Sequence, residues 1–139
     1  MKVVLDTNVW LSSIFWKGEA SKIIRNCKRK SIQIMITDQI LSEIIDVLNK
    51  EAKFQRFIKD RNQNIEDLIR TILSIAILKK SKTKLNIIKE DPKDNIILEA
   101  ALDGKADYII SYDKHLLNML EFRKIKIIKP NEFLKLINK

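Results

Sequence analysis

Val3-Val4-Leu5-Asp6-Thr7-Asn8 is the stretch on which the reading of the whole chain turns. Three apolar residues in a row, directly after Met1-Lys2, read as a short buried strand of a parallel sheet. An acid and two small polar residues follow, and then an apolar helical pattern through Val9, Leu11, Ile14 and Phe15. Asp6 therefore belongs at the carboxyl end of a strand, in the turn that opens a helix. In open α/β sheets that edge is where ligands bind. Asp is also a common helix cap, and capping alone would account for it. Recurrence of the same arrangement further along the chain favours a site.

Working outward, the helical pattern runs to about Trp16 and breaks near Lys17-Gly18, and a second helix is expected from about Glu19 to Lys30. Ile32 to Ile36 reads as a strand, and Thr37-Asp38 opens a helix to about Lys50. On that helix Asp46 falls opposite the apolar stripe of Ile40, Ile44, Val47 and Leu48, whereas Glu43 falls on its flank and can point along the sheet edge. Residues from about Lys53 to Leu78 are predicted helical, as two helices split near Asp60 to Asn64. Leu85 to Ile88 is predicted as the third strand, Tyr108 to Ile110 as the fourth and Ile125 to Ile128 as the fifth. Between them lie a helix through Ile97, Leu98, Ala101 and Leu102, a short helix after Asp113, and a terminal helix opened by Pro130. Strands alternating with helices predict a three-layer α/β/α fold on a central, mainly parallel sheet of about five strands.

Composition bounds the function. The 139 residues suffice for one domain, 1–139, with its own core. Two Gly and two Pro leave little room for linkers. Lys and Arg outnumber Asp and Glu by 27 to 18, a net charge of +9, which points to a polyanionic partner such as nucleic acid. The densest basic run, Lys79, Lys80, Lys82 and Lys84, is the first candidate for phosphate contacts, with Lys28, Arg29 and Lys30 behind it. A solvated loop is the alternative for that run. Cys27 has no partner for an internal disulfide. The early strand leaves no room for a signal peptide, and no apolar run approaches the roughly 18 residues of a membrane span. A cytoplasmic protein is expected. Trp10 and Trp16 are expected in core or dimer packing.

Four acids fall at or just beyond the carboxyl edge of this sheet: Asp6, Glu43, Asp94 and Asp113. Asp113 repeats the geometry of Asp6 after the strand at Tyr108. Asp94 shares the inward face of Ile97 and Leu98. Asp91 can be the N-cap of that helix, with Pro92 at its first position and Asp94 closing a capping box. Capping and pointing at a site are compatible for a first-turn acid. Gathered carboxylates repel and raise each other's pKa, a cost that a divalent cation relieves. Mg²⁺ and Mn²⁺ prefer oxygen ligands, and a pair of them can clamp the reacting oxygens of a phosphodiester. An acidic centre in a basic protein suits a metal-dependent nuclease.

Taken in order, Val4-Leu5-Asp6-Thr7-Asn8, Glu43 within Ile40 to Ile44, Asp91-Pro92-Lys93-Asp94-Asn95, Ala106 to Asp113 and Ile128 to Leu134 resemble a PIN domain. The likeness is to the small prokaryotic PIN proteins of the VapC-like toxin type, over essentially the whole chain. It implies a PIN-like nuclease domain: a Mg²⁺- or Mn²⁺-dependent endoribonuclease acting on single-stranded RNA as the toxin of a toxin–antitoxin pair, with a cognate antitoxin as partner. Homodimerisation is left open. It further implies that Asp6, Glu43, Asp94 and Asp113 are the metal ligands and that Thr7, Asn8 and Ser111 support them. Tyr112 departs from the pattern, since a small residue usually separates the Ser/Thr from the last acid. A ring there could narrow the site. His115 is set aside, because two-metal hydrolysis needs no histidine.

Two other readings compete. A catalytically silent module that keeps the fold and binds nucleic acid or protein is opposed by retention of all four acids. An aspartyl-phosphate hydrolase would want an Asp two residues after Asp6, and position 8 is Asn.

Overall fold

The structure, a computed structural model, describes residues 1–89 and 91–138. In chain order its elements are β1 (Lys2–Leu5), α1 (Thr7–Phe15), α2 (Glu19–Arg29), β2 (Gln33–Thr37), α3 (Asp38–Lys50), α4 (Ala52–Asp60), α5 (Ile65–Ile75) and β3 (Ile77–Lys79). Then come α6 (Lys93–Asp103), β4 (Tyr108–Ile110), α7 (Lys114–Leu117), β5 (Glu121–Phe122), β6 (Ile125–Ile128) and α8 (Pro130–Ile137). The sheet order is β3-β2-β1-β4-β6-β5. All neighbours pair in parallel except β5, which is antiparallel to β6.

β1 sits at the centre because every one of its apolar side chains can be covered. Val3, Val4 and Leu5 have no exposed surface, as expected of a strand with helices on both faces. From β1 the chain builds outward through β2 and β3, then returns to place β4 on the other flank. The crevice between the carboxyl ends of β1 and β4 is thus a topological switch point.

The expected mainly parallel architecture holds, with three corrections, the first being that the short helix after Asp113 stops at Leu117 and Glu121–Phe122 adds an antiparallel edge strand absent from the sequence reading. Ile77 to Lys79 forms β3 and does not extend the preceding helix. The run Ile72 to Leu78 suits either period, and pairing with Met35 to Thr37 of β2 selects the extended form. Leu85 to Ile88 is not a strand. Ile88 is buried, so the segment carries a strand-like apolar signal, but its backbone is bound by side chains of α6. Asn95 Oδ1 accepts from Ile87 N and Ile88 N, both at 3.0 Å. Glu99 Oε2 accepts from Leu85 N at 2.8 Å, and Asp103 accepts from Lys82 N at 2.8 Å and from the Thr83 hydroxyl at 2.6 Å. Acceptors four residues apart on one helix face stand where a neighbouring strand would be. With its amide oriented to satisfy both groups, Gln39 of α3 donates to Glu99 and accepts from Lys84.

Gly104 lets the end of α6 press on β2, since a Cβ there would lie 3.0 Å from both Met35 Cβ and the Ala100 carbonyl oxygen. Trp10 is fully buried, while Trp16 is half-exposed on a cluster with Phe15, Phe54 and Phe57. Cys27 is buried, and burial pushes its thiol up to about 12, which leaves it inert. Among the described residues no helix is long and apolar enough to cross a membrane.

Candidate metal centre

One cleft of about 100 Å³ opens at the switch point. Asp6, Glu43, Asp94 and Asp113, drawn from four separate parts of the chain, all line it, as do Thr7 and Asn8.

Asp6 follows β1 and caps α1: its Oδ1 accepts from Val9 N at 2.9 Å. Its Oδ2 accepts the hydroxyl hydrogen of Ser111, the fully buried residue that follows β4. Asp6 is only 5% exposed, and burial lifts its pKa to about 6. The Ser111 and Val9 bonds resist that rise, and the Asp113 charge adds to it. Asp113 caps α7 by accepting from His115 N at 2.7 Å, and its own N–H donates to Ser111 Oγ at 2.9 Å. Both acids therefore cap helices and face the cleft at once.

Asp91 and Asp94 enter from the start of α6. Asp91 Oδ1 accepts from Lys93 N at 3.2 Å, but the N-cap of α6 is Pro92, without a side-chain cap bond, so Asp91 stands one residue before the cap position expected of it. Asp94 does not close a capping box. Its Oδ2 is buried with no hydrogen-bond partner among the described residues. Burial first, then the charges of Asp113, Asp91 and Asp6, lift the Asp94 carboxyl to about 7. A carboxylate oxygen of Asp94 lies within 4.8 Å of one from Asp91 and one from Asp113.

Asp91 is the acid for which the sequence suggested capping alone. A signal existed: it stands three residues before Asp94, the spacing that puts two side chains on one helical face. Glu43 lines the same cleft outside that convergent trio, and its Oε1 lies 3.5 Å from Lys93 Nζ. Asp46 faces solvent, as its place on α3 requires, in an ion pair with Lys50.

None of Lys79, Lys80, Lys82 and Lys84 is among the residues lining the cleft. Lys82 is bound at Asp103, nine residues along α6 from Asp94, roughly 13 Å of helix axis. The lysine lining the cleft among the described residues is Lys93. Tyr112 is half-exposed and is not among the residues lining the cleft. His115 is exposed.

Oxygen-only donors, three of them converging and one orphaned in a buried position, fit a hard divalent cation such as Mg²⁺ or Mn²⁺. An acid held at neutral pH without a partner is what such an ion would satisfy.

A three-layer parallel fold with an acidic cleft at its switch point defines a class, and sequence comparison gives the family. The PIN domain profile matches residues 2–115, and the chain belongs to the PIN domain family. Among solved structures it is similar to a chain of VapBC2 from Rickettsia felis, described as bound to a DNA fragment from their promoter. That likeness has a TM-score of 0.64 at 14% identity and covers 93% of this chain and 98% of the other, a likeness of fold. No curated protein sequence matches the chain.

Proposed function

We propose that the protein is a Mg²⁺- or Mn²⁺-dependent endoribonuclease of single-stranded RNA, the toxin of a toxin–antitoxin pair. The observation that carries the reading is the buried, unpartnered Asp94 Oδ2 beside Asp91 and Asp113. Asp91, Asp94 and Asp113 would hold the cation, with Asp6 and Glu43 completing the acidic lining. Once bound, the ion supplies Lewis-acid polarisation and charge neutralisation at a phosphodiester.

The chain's own residues do the rest. Ser111 fixes Asp6 and the backbone of Asp113, so two acids from neighbouring strand ends keep their relative positions without the ion. Thr7 and Asn8 offer polar groups on the rim, where water and phosphate oxygens enter. The excess of nine positive charges draws a polyanion toward a locally negative cleft. Hydrolysis adds water across the P–O3′ bond, leaving a 5′-phosphate and a 3′-hydroxyl. A VapBC2 assembly containing a chain of similar fold supports an antitoxin partner, and a toxin acting on RNA inside the cell that makes it suits the cytoplasm.

The test is incubation of end-labelled single-stranded RNA with the protein in Mn²⁺ and in EDTA. We expect cleavage only with Mn²⁺, giving 5′-phosphate ends. Cleavage that persists in EDTA, or products ending in 2′,3′-cyclic phosphate, would overturn the proposal.

A further inference from the structure

Lys93 lies among the acids of the cleft. It stands between Asp91 and Asp94 at the start of α6, and its side chain, 63% exposed, lines the cleft and reaches Glu43. The approach of 3.5 Å gives Glu43, whose side chain is 18% exposed, a cation of its own.

The acids therefore fall into three groups. Asp91, Asp94 and Asp113 converge, with an orphaned buried oxygen at Asp94. Asp6 has both oxygens engaged, by Val9 N and by the Ser111 hydroxyl. Glu43 stands outside the convergent trio and is already paired with Lys93. A divalent ion at Glu43 would have to displace an ammonium group tethered to the same helix that carries Asp94. Mg²⁺ gives up coordinated water reluctantly, and against either ion a tethered competitor is present at high effective concentration.

We propose that Lys93 is the second cation of this site. Its ammonium group takes the place at Glu43 that a second divalent ion would fill, so each chain binds one divalent ion, at Asp91, Asp94 and Asp113. The inference rests on the metal-centre reading given above and specifies its stoichiometry.

Counting Mn²⁺ bound to the full chain without nucleic acid, by calorimetry and by the paramagnetic resonance of free Mn²⁺, tests it. We expect one ion for the wild type and one for Lys93→Arg, which keeps the cation. Lys93→Gln should bind two, and the double variant Lys93→Gln/Glu43→Gln should return to one. Lys93 is exposed enough that all four proteins should fold, and equal circular dichroism checks that. Two ions on the wild type, or one on Lys93→Gln, would overturn the role of Lys93 and leave the metal centre standing. No ion on any variant would overturn the metal centre, and the role of Lys93 with it.

Discussion

Ser111 donates its hydroxyl hydrogen to the Asp6 carboxylate across 105 residues of sequence, while its oxygen accepts the Asp113 N–H. One buried side chain thus ties the acid after β1 to the acid after β4. Ser111→Ala removes both bonds and leaves the buried Asp6 Oδ2 and the half-buried Asp113 N–H without those partners. We expect a loss of roughly 1–3 kcal/mol of stability. Because the hydroxyl orients acids that face the cation, Mn²⁺ affinity should fall about 10- to 100-fold. Calorimetric titration and thermal melts check the two effects separately.

The raised carboxyls give the metal-free protein an inverted pH dependence. In the folded state Asp6 titrates near 6 and Asp94 near 7, both above the ordinary 3.8. Between about pH 4 and pH 7 the folded state binds more protons than the unfolded one, so stability falls as pH rises through that window. Asp38 and Asp103 have the opposite sign. Asp38 is held low mainly by the Ser81 N–H. Asp103, against the cost of its burial, is held low by the N–H groups of Lys82 and Thr83 and by the Thr83 hydroxyl. Their contribution is lost only as pH falls below the ordinary carboxyl range. Metal-free melts should therefore peak near pH 4–5 and decline toward pH 7.5, and saturating Mn²⁺ should abolish the decline. A midpoint that rises steadily from pH 4.5 to 7.5 without metal would contradict the electrostatics of the cleft.

Asn95 holds the approach to the site. Besides accepting from Ile87 and Ile88, it donates through Nδ2 to the Ile88 carbonyl at 2.8 Å and the Pro92 carbonyl at 3.3 Å. These bonds fix the chain on both sides of Asp91. Asn95→Ala should cost roughly 1–3 kcal/mol, as the buried N–H and carbonyl of Ile88 are left without these partners. Hydrogen exchange should accelerate at the Ile87 and Ile88 amides, and unchanged protection there would show that the clamp is not what orders the segment.

Much of the fold was legible because its signals were local. An apolar triplet ending in Asp marks β1 and Asp6, and Tyr108-Ile109-Ile110 with Ser111 and Asp113 repeats it. What escaped depended on contacts between distant residues. Leu85 to Ile88 has the composition of a strand, but nothing in that segment announces that Asn95, Glu99 and Asp103 will take its backbone N–H groups. β3 exists because β2 offers a pairing edge, which a helix-compatible run such as Ile72 to Leu78 cannot reveal. Asp91 sat beside Pro92, where a capping explanation was sufficient, and only the converging oxygens placed it with Asp94. The place of Lys93 at Glu43 required knowing how α3 and α6 face each other.

The basic run should matter for RNA binding as a distant anchor. Neutralising Lys79, Lys80, Lys82 and Lys84 to Gln should reduce the slope of log affinity against log salt by about 0.7 for each single-strand phosphate that the run neutralises in the wild type. The Mn²⁺ dissociation constant should not move, because the run lies some distance along α6 from Asp94. An unchanged salt slope would place the RNA on another face, with Lys28, Arg29 and Lys30 the next candidates.

The central claim is that the cleft is built for a cation, and the melting of Asp94→Asn with and without Mn²⁺ tests it most directly. Two unit charges at 4.8 Å, the limit of the trio's spacing, repel by about 3 kcal/mol at an effective dielectric near 20, before protonation and screening relieve part of it. Removing the Asp94 charge should therefore raise the metal-free midpoint, by roughly 3 °C for each kcal/mol recovered. Saturating Mn²⁺ should raise the wild-type midpoint, since an ion bound only by the folded state adds its binding free energy, and should leave Asp94→Asn nearly unmoved. A variant that melts like the wild type without metal and shifts equally with Mn²⁺ would contradict the claim and reduce Asp94 to a first-turn residue of α6.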